Sequence, residues 1–214
     1  SPGYQKQANV TVNGEVTFTG NYALTKKNER LSDLIAKAGG LSKSAYAKGA
    51  RLMRRMTADE IRQKQDAVRF ATKGTGKDSV SLSSLEVDQT YSVGIELEKA
   101  LAKPKSDEDL VLREGDVLFV PKYVSTVTVN GAVMYPNTVL YQKGSGIDYY
   151  IGQAGGFGNR ALKRRAYVVY MNGTVSRLRR NTANAIEPGC EIIVPSKGER
   201  KKMTTAGAVG MSSS

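Results

Sequence analysis

The sequence predicts an α+β fold built from two tandem units, each a small mixed sheet packed on one short helix. The prediction depends on three motifs that occur in the same order in both halves of the chain. They are VTVNG (10–14 and 127–131), NERLSDLIAKAGGLS with GSGIDYYIGQAGGFG (28–42 and 144–158), and LREGDVLFVP with IEPGCEIIVP (112–121 and 186–195). Ordered repeats over this length indicate a duplicated structural unit.

The middle motif of each unit predicts a short amphipathic helix. Its apolar residues stand at i, i+3, i+4 and i+7, which makes one buried stripe. They are Leu31, Leu34, Ile35 and Ala38 in the first unit, and Ile147, Tyr150, Ile151 and Ala154 in the second. Both stripes end in Ala-Gly-Gly, where glycine suits the left-handed residue that ends a helix. Ser145 with Asp148, and Thr57 with Glu60, have the spacing of capping boxes.

The opening and closing motifs predict strands, and further strand patterns lie between them. The first unit carries an insertion at about 57–110, which begins with a polar helix headed by Thr57. Inside the insertion, the alternation of apolar residues at 91, 93, 95 and 97 indicates a strand. The second unit has a compact hairpin instead, with Asn172 and Gly173 as a two-residue turn.

The repeat divides the 214 residues into two domains. We expect a first domain at 8–122, a second at 126–196, and a basic, disordered tail at 197–214. The very short junction predicts that the two domains keep a fixed relation. Neither end of the chain has the pattern of a natural terminus, so we expect a segment of a longer protein.

Charge and composition restrict the partners. The chain has 32 Lys and Arg against 20 Asp and Glu, a formal net charge of +12, and this balance permits contact with acidic polymers or anionic lipid. A solvated basic surface is the plain alternative. The single cysteine, Cys190, excludes an intramolecular disulfide, and its apolar surroundings predict a buried, inert thiol. No stretch of about 18 apolar residues is present to span a membrane as a helix.

The sequence offers no catalytic residues. Histidine, the commonest general base and metal ligand, is absent, and Cys190 has no imidazole to activate it. The run KGTGKDS (73–79) lacks the first glycine of a phosphate-binding loop. The run Asp107, Glu108 and Asp109 lacks the spaced ligands of a cation site and predicts a solvated turn. We therefore predict that the chain is not an enzyme and holds no metal or cofactor.

The hairpin supplies the candidate binding patch. The pairs expected from a two-residue turn are Tyr170–Val175, Val168–Arg177 and Ala166–Arg179, with Tyr167, Val169, Met171 and Leu178 facing the core. On this register Arg164, Arg177 and Arg179 share an exposed face with Tyr170. Arginine forks bind carboxylates or sulfates, and a tyrosine ring packs on a sugar face. A solvated outer sheet face and a subunit interface are the alternatives for the same residues.

With these motifs the chain resembles the SLBB type of β-grasp domain in bacterial outer-membrane polysaccharide export proteins, the Wza-like capsule exporters. The family pattern is a V-x-V-x-G-x-V strand, a turn, a helix ending in Ala-Gly-Gly, and a closing GD-x-apolar-x-VP. The residues in these places, to which we assign structural roles, are Gly14, Gly39, Gly40, Gly115, Asp116 and Pro121, then Gly131, Gly155, Gly156, Gly189 and Pro195. The second unit departs from the pattern at Cys190 and Glu191, which stand in place of Asp116 and Val117.

The resemblance implies two tandem β-grasp domains with a passive role. Members of this family assemble as rings in the periplasm, whose stacked domains form a conduit for capsule or exopolysaccharide. It implies an acidic or neutral polysaccharide as cargo, a homo-oligomeric ring, docking of an inner-membrane polysaccharide copolymerase, and attachment to the outer membrane through parts missing here. One alternative is a sugar-binding β-grasp module without a channel role. Another is nucleic-acid binding, which the lack of aromatics among the basic residues disfavours, so no nucleic acid is expected.

Overall fold

The computed structural model of the chain describes residues 6–73, 89–179 and 183–198, with the backbone alone at 71–73 and 183. Within these ranges the chain forms two five-stranded mixed sheets, one in each half. Most of the loop at 72–79 and of the predicted tail at 197–214 lies outside the described residues.

The first sheet has the strand order β2-β1-β5-β3-β4. Its elements are β1 (Asn9–Gly14), β2 (Gly20–Ala23), α1 (Leu31–Lys37), β3 (Arg51–Arg55), α2 (Ala58–Lys73), β4 (Thr90–Val93), α3 (Leu97–Ala102) and β5 (Val117–Val120). β1 and β5 are parallel, and the other neighbours are antiparallel. The closing strand therefore lies at the centre of the sheet, between the opening strand and β3.

The second sheet repeats this arrangement in the order β7-β6-β10-β8-β9. Its elements are β6 (Thr126–Gly131), β7 (Asn137–Leu140), α4 (Ile147–Gln153), β8 (Tyr167–Val169), β9 (Val175–Arg177) and β10 (Glu191–Val194). β6 and β10 form the parallel pair. The predicted α+β class, with a small mixed sheet packed on one short helix in each half, is confirmed.

Each sheet packs one face on its helix to form a separate core. In the first domain the predicted stripe of α1 is buried against alternate residues of β1, β3 and β5, such as Val12, Leu52 and Leu118. In the second, Tyr150, Ile151 and Ala154 are buried in the same way, whereas Ile147 is only half-buried. The period-2 burial of the strands leaves the opposite face of each sheet available for other contacts.

The insertion in the first domain is smaller than the sequence predicted. β4 pairs with β3 as β9 pairs with β8, so each domain has its own equivalent edge strand and β4 is not part of the insertion. The added material consists of α2 with the chain up to β4, and of α3 with its following turn. The predicted strand at 91–97 is also too long, because β4 ends at Val93 and Leu97 begins α3.

Of the two predicted capping boxes, one forms and the other does not. The capping box of Thr57 and Glu60 forms, with the backbone N–H of each residue donating to the other side chain at 2.7 and 3.2 Å. Ser145 makes no such box, since Gly146 is the N-cap of α4 and no side chain caps it.

Asp109 is fully buried instead of solvated, and it accepts hydrogen bonds from Ser32 N, Ser32 Oγ and Lys105 N at 2.6–2.9 Å. It therefore ties the last part of the insertion to the start of α1.

The loop between β8 and β9 contacts the first domain. Asn172 Nδ2 donates to Ile95 O at 3.2 Å, and Arg51 Nε donates to Met171 O. A Cβ on Gly49 would lie 3.0 Å from Met171 Cβ and 2.8 Å from Pro121 Cγ, so this glycine gives the loop room to approach. Side chains of both domains line a cleft of about 340 Å³ beside this contact.

A glycine ends the opening strand in each domain at its closest approach to the closing strand. Gly14 and Gly131 both have φ of +90°, a conformation that residues with a Cβ rarely adopt. A Cβ at Gly14 would lie 2.1 Å from Val120 O, and one at Gly131 would lie 2.2 Å from Val194 O. The parallel pair can end in this way only if the position is glycine.

We expect Gly14→Ala to lower the free energy of unfolding of the first domain by about 2 kcal/mol or more, because it adds backbone strain and a clash with a carbonyl oxygen. Hydrogen exchange of the β5 amides measures the first domain separately from the second. Gly152→Ala is the matched control, measured at the β10 amides of the second domain. This exposed glycine of α4 has open space around it, so alanine should stabilise the helix by about 0.5–1 kcal/mol. Equal β5 protection in Gly14→Ala and the wild type would contradict the assigned role.

Candidate functional site

The predicted register of the β8–β9 hairpin is wrong by one residue. The observed pairs are Tyr167 with Arg177, Val168 with Ser176, and Val169 with Val175. Tyr170 N donates to Thr174 O and Gly173 N donates to Tyr170 O, each at 2.9 Å, which makes a three-residue loop with Gly173 at φ +87°. Three-residue hairpin loops use a type I turn followed by a left-handed glycine, and the extra loop residue shifts every pair by one.

The shift moves Tyr170 off the arginine face. Val168 is fully buried in the second core, and Tyr170 lies on the same side of β8 and packs against that core. Its hydroxyl donates to Ala185 O at 2.6 Å. Tyr167 and Val169, which were predicted to face the core, lie on the opposite side with Arg177. Tyr170 is therefore a structural residue and does not share a surface with the arginines.

The structure brings Arg164, Arg177 and Arg179 together around one cavity of about 600 Å³. Arg164 lies in the 3₁₀ turn Lys163–Arg165 that precedes β8, and Arg177 is the last residue of β9. All three side chains are exposed. The cavity lies within the range of volumes that suits small-molecule sites, about 300–1,000 Å³.

The cavity combines an apolar floor with a cationic rim. Leu178 is buried at its base, and the half-buried Ile147 and Phe157 line its sides. Lys163, which the sequence analysis did not select, adds a fourth cation, and its Nζ lies 5.2 Å from the centre of the Phe157 ring. Among the described residues of the lining, Asp148 is the only acidic one. The arrangement can bind an anionic group at the rim while an apolar face contacts the floor.

Asp116, to which the sequence analysis assigned a structural role, forms a buried ion pair with Arg54. Arg54 Nε and Nη2 donate to the two carboxylate oxygens of Asp116 at 3.0 and 2.9 Å, and the side chains are only 7% and 1% exposed. Arg54 Nη2 also donates to Val111 O at 3.0 Å. The carboxylate of Asp116 raises the pKa of Arg54 further, so the guanidinium stays charged.

The second domain replaces this ion pair with neutral groups. The strand registers place Tyr170 where the first domain has Arg54, and Cys190 where it has Asp116. Tyr170 reaches Ala185 O, the carbonyl that corresponds to Val111 O. Burial raises the pKa of the Cys190 thiol to about 11, so the thiol stays protonated at neutral pH and is a poor nucleophile.

The other motif residues lie at turns and strand ends. The glycines with positive φ among them are Gly14, Gly39, Gly40, Gly115, Gly131, Gly155, Gly156 and Gly189. The carbonyls of Pro121 and Pro195 each accept a backbone hydrogen bond at 2.8 Å, from Tyr46 and Leu162 respectively. These contacts fix the backbone after each closing strand. In the part of the chain that the structure describes, no group of three or more acidic or cysteine side chains is placed to hold a metal ion.

A model of the SLBB domain matches the chain at residues 9–64 and 126–178, which is just over half of its length. The chain belongs to the SLBB domain family. The two SLBB matches begin at the first residues of β1 and β6, so they start where each sheet starts. The resemblance recognised from the motifs is confirmed, and the family is of a transport or binding type.

Two proteins from Escherichia coli, both named "Polysialic acid transport protein KpsD", are similar to part of this SLBB chain. They are 34% and 33% identical to it over 96 residues, which is 45% of the chain. The match covers 17% of the length of each relative. The SLBB chain therefore corresponds to a minor part of these transport proteins.

We expect Asp116→Ala to destabilise the first SLBB domain by about 3–5 kcal/mol, because it leaves the Arg54 guanidinium buried without its partner. The double variant Arg54→Tyr with Asp116→Cys, which copies the second domain, should recover most of the loss. Hydrogen exchange of the β5 amides measures both effects.

Asp59→Ala is the matched control for this comparison, since Asp59 pairs with Arg62 at 3.5 Å on an exposed helix face. Exposed pairs contribute about 0–1 kcal/mol. A loss for Asp116→Ala no larger than that for Asp59→Ala would contradict the importance of the buried pair.

Proposed function

We propose that this chain is a periplasmic part of an outer-membrane polysaccharide export protein, where it forms part of the wall of an oligomeric conduit. The observation that carries the proposal is the tandem SLBB architecture in a chain similar to two polysialic acid transport proteins. The role is passive: the domains supply a rigid wall, and the polymer passes without covalent change. The complete protein supplies the attachment to the outer membrane.

The exposed faces of the sheets support assembly with other subunits. On the outer face of the first sheet, Phe119 is 45% and Met53 is 38% exposed. In the second domain, Tyr135 and Leu140 are 70% and 73% exposed. Large apolar side chains that remain exposed in one chain are typical of surfaces that another protein covers. We propose that they pack between neighbouring subunits of a homo-oligomeric ring.

The charge of the chain supports a hydrated, acidic polymer as cargo, although a neutral polysaccharide fits the same conduit. A net charge of +12 raises the local concentration of polyanions without any single tight site. No helix among the described residues is long and apolar enough to cross a membrane. We propose that an inner-membrane polysaccharide copolymerase delivers the polymer to the ring.

A second candidate is a sugar-binding SLBB module without a channel role. The cavity lined by Arg164, Arg177 and Arg179 favours it, because a volume of about 600 Å³ lies in the range of small-molecule sites. The two candidates differ in whether the polymer stays inside the cell envelope when the protein is absent. No role in binding nucleic acid is proposed.

Deleting the complete gene in the source cell is expected to remove polysaccharide from the surface and leave polymer in the periplasm. Fractionation with quantitative sugar analysis of each compartment measures this. Restoring the wild-type gene should restore surface polymer. Unchanged surface polymer in a strain without a second copy of the gene would exclude the conduit and favour the binding module.

A further inference from the structure

The cationic cavity of the second domain lies where the first domain has α3. The strand registers align the two domains, since Leu52 pairs with Leu118 and Val93 as Val168 pairs with Ile192 and Ser176. Val93 therefore corresponds to Ser176. Two residues further along each chain, Ile95 corresponds to Leu178, and both are buried. After that point the two chains differ.

In the first domain, α3 covers this position. It packs on α1 and on the 3₁₀ turn Ala47–Gly49, and its Leu97 and Ala100 are fully buried. In the second domain the connection from β9 to β10 (178–190) is shorter than the one from β4 to β5 (94–116), and no helix corresponds to α3 among its described residues. The start of α4 and the turn Lys163–Arg165, which correspond to the partners of α3, line the cavity instead. The absence of a counterpart of α3 among the described residues of this connection thus accounts for the cavity.

The missing helix does not account for the charge. The described residues around the cavity include four cations, Lys163, Arg164, Arg177 and Arg179. The first domain has Ala47, Lys48, Gly94 and Glu96 at the corresponding positions. In the first domain the one cation, Lys48, lies 3.9 Å from Glu98, an acidic residue of α3 itself. The second domain has lost that source of negative charge and has three more cations. A surface that only needed to be soluble would not require four cations around one cavity.

The chemistry of the cavity fits a charged sugar. The carboxylate or sulfate of an acidic glycan can accept charge-assisted hydrogen bonds from the arginine forks at the rim. The apolar face of a pyranose ring can pack on Phe157 and Ile147 at the sides of the cavity. A volume of about 600 Å³ accommodates a short stretch of polymer.

We propose that this cavity binds a segment of an acidic glycan, with Arg164, Arg177 and Arg179 at its anionic groups and Phe157 against a sugar ring. The proposal relies on the proposed function for its biological meaning, since the glycan is then the exported polymer. It replaces the patch expected from the sequence in one respect: the aromatic contact comes from Phe157 instead of Tyr170.

The first test measures binding of a sialic acid hexasaccharide to the chain by titration calorimetry at about 0.1 M salt, where exposed charges are only partly screened. Changing Arg164, Arg177 and Arg179 together to Gln is expected to weaken binding at least tenfold. The matched control changes Lys26, Lys27 and Lys43 to Gln, which removes the same charge from exposed positions of the first domain. The control should bind almost as tightly as the wild type.

A second variant separates space from charge. Replacing residues 180–184 with residues 97–110 is designed to place α3 in the cavity while Ala185 and the four cations remain, and it should also abolish binding. Hydrogen exchange of the β10 amides checks that the second domain is folded. If this variant does not fold, the arginine variant still decides the question.

Three results would overturn the proposal. The first is an equal loss of glycan affinity in the arginine variant and the lysine control, and the second is an affinity for neutral maltohexaose equal to that for the sialic acid hexasaccharide. The third is that neither the sialic acid hexasaccharide nor a second acidic probe, an oligogalacturonate, binds. Binding of a peptide of residues 94–106 in the absence of glycan binding would assign the cavity to a protein partner. If deletion of the gene blocks export but the arginine variant binds normally, the proposal is wrong and the conduit stands. If the glycan binds at the cavity but deletion leaves export unchanged, the site stands and the conduit is wrong.

Discussion

The parallel pairing of the opening strand with the closing strand is the contact on which each domain depends. It joins the two ends of each repeat, with Thr11 beside Val117 in the first domain and Thr128 beside Glu191 in the second. Parallel neighbours need a long crossover connection, and the entropy of closing such a connection grows slowly with its length. For this reason the first domain can hold α2 and α3 between these strands without a change in strand order. The tight approach at Gly14 and Gly131 marks the end of the pair, and a wider residue there would separate the strands.

The two domains satisfy corresponding backbone carbonyls, those of Val111 and Ala185, in different ways. In the first domain a guanidinium reaches Val111 O and needs Asp116 to neutralise it. In the second domain a tyrosine hydroxyl reaches Ala185 O, and a protonated thiol is enough beside it. A buried ion pair and a neutral pair of similar shape can be nearly equal in stability, whereas half of either pair is costly. The departure of Cys190 from the family pattern is therefore coupled to Tyr170, and the two positions have to change together.

The repeat made most of the fold predictable, because each motif was present twice and each copy supported the other. Helix stripes, strand ends and turn glycines depend on local spacing, which a sequence shows directly. The hairpin register was not predictable from Asn172 and Gly173 alone, since the same dipeptide fits a two-residue and a three-residue loop. The sequence prediction named three residues that line the cavity, because the expected hairpin pairing placed Arg164, Arg177 and Arg179 near one another even though its register was wrong by one residue. Phe157 and Lys163 join them only through tertiary packing. An alignment of Ala47 and Lys48 with Lys163 and Arg164 is the signal that would have extended the prediction.

The two domains differ in the length of the connections that follow β3 and β4 in the first and β8 and β9 in the second. This difference makes their surfaces unequal. The short loop of the second hairpin can reach Gly49 and Ile95 of the first domain, because only a few residues follow β8 before the chain turns back. At the corresponding place, after β3, the first domain has the helix α2. Conversely, Ile95 leads into α3, and both form one side of the cleft that the loop enters. The second domain has no counterpart of α3 in its described residues and carries a cationic cavity there. Where the connections are longer, the first domain contacts the hairpin loop of the second. Where they are shorter, the second domain has a cationic cavity.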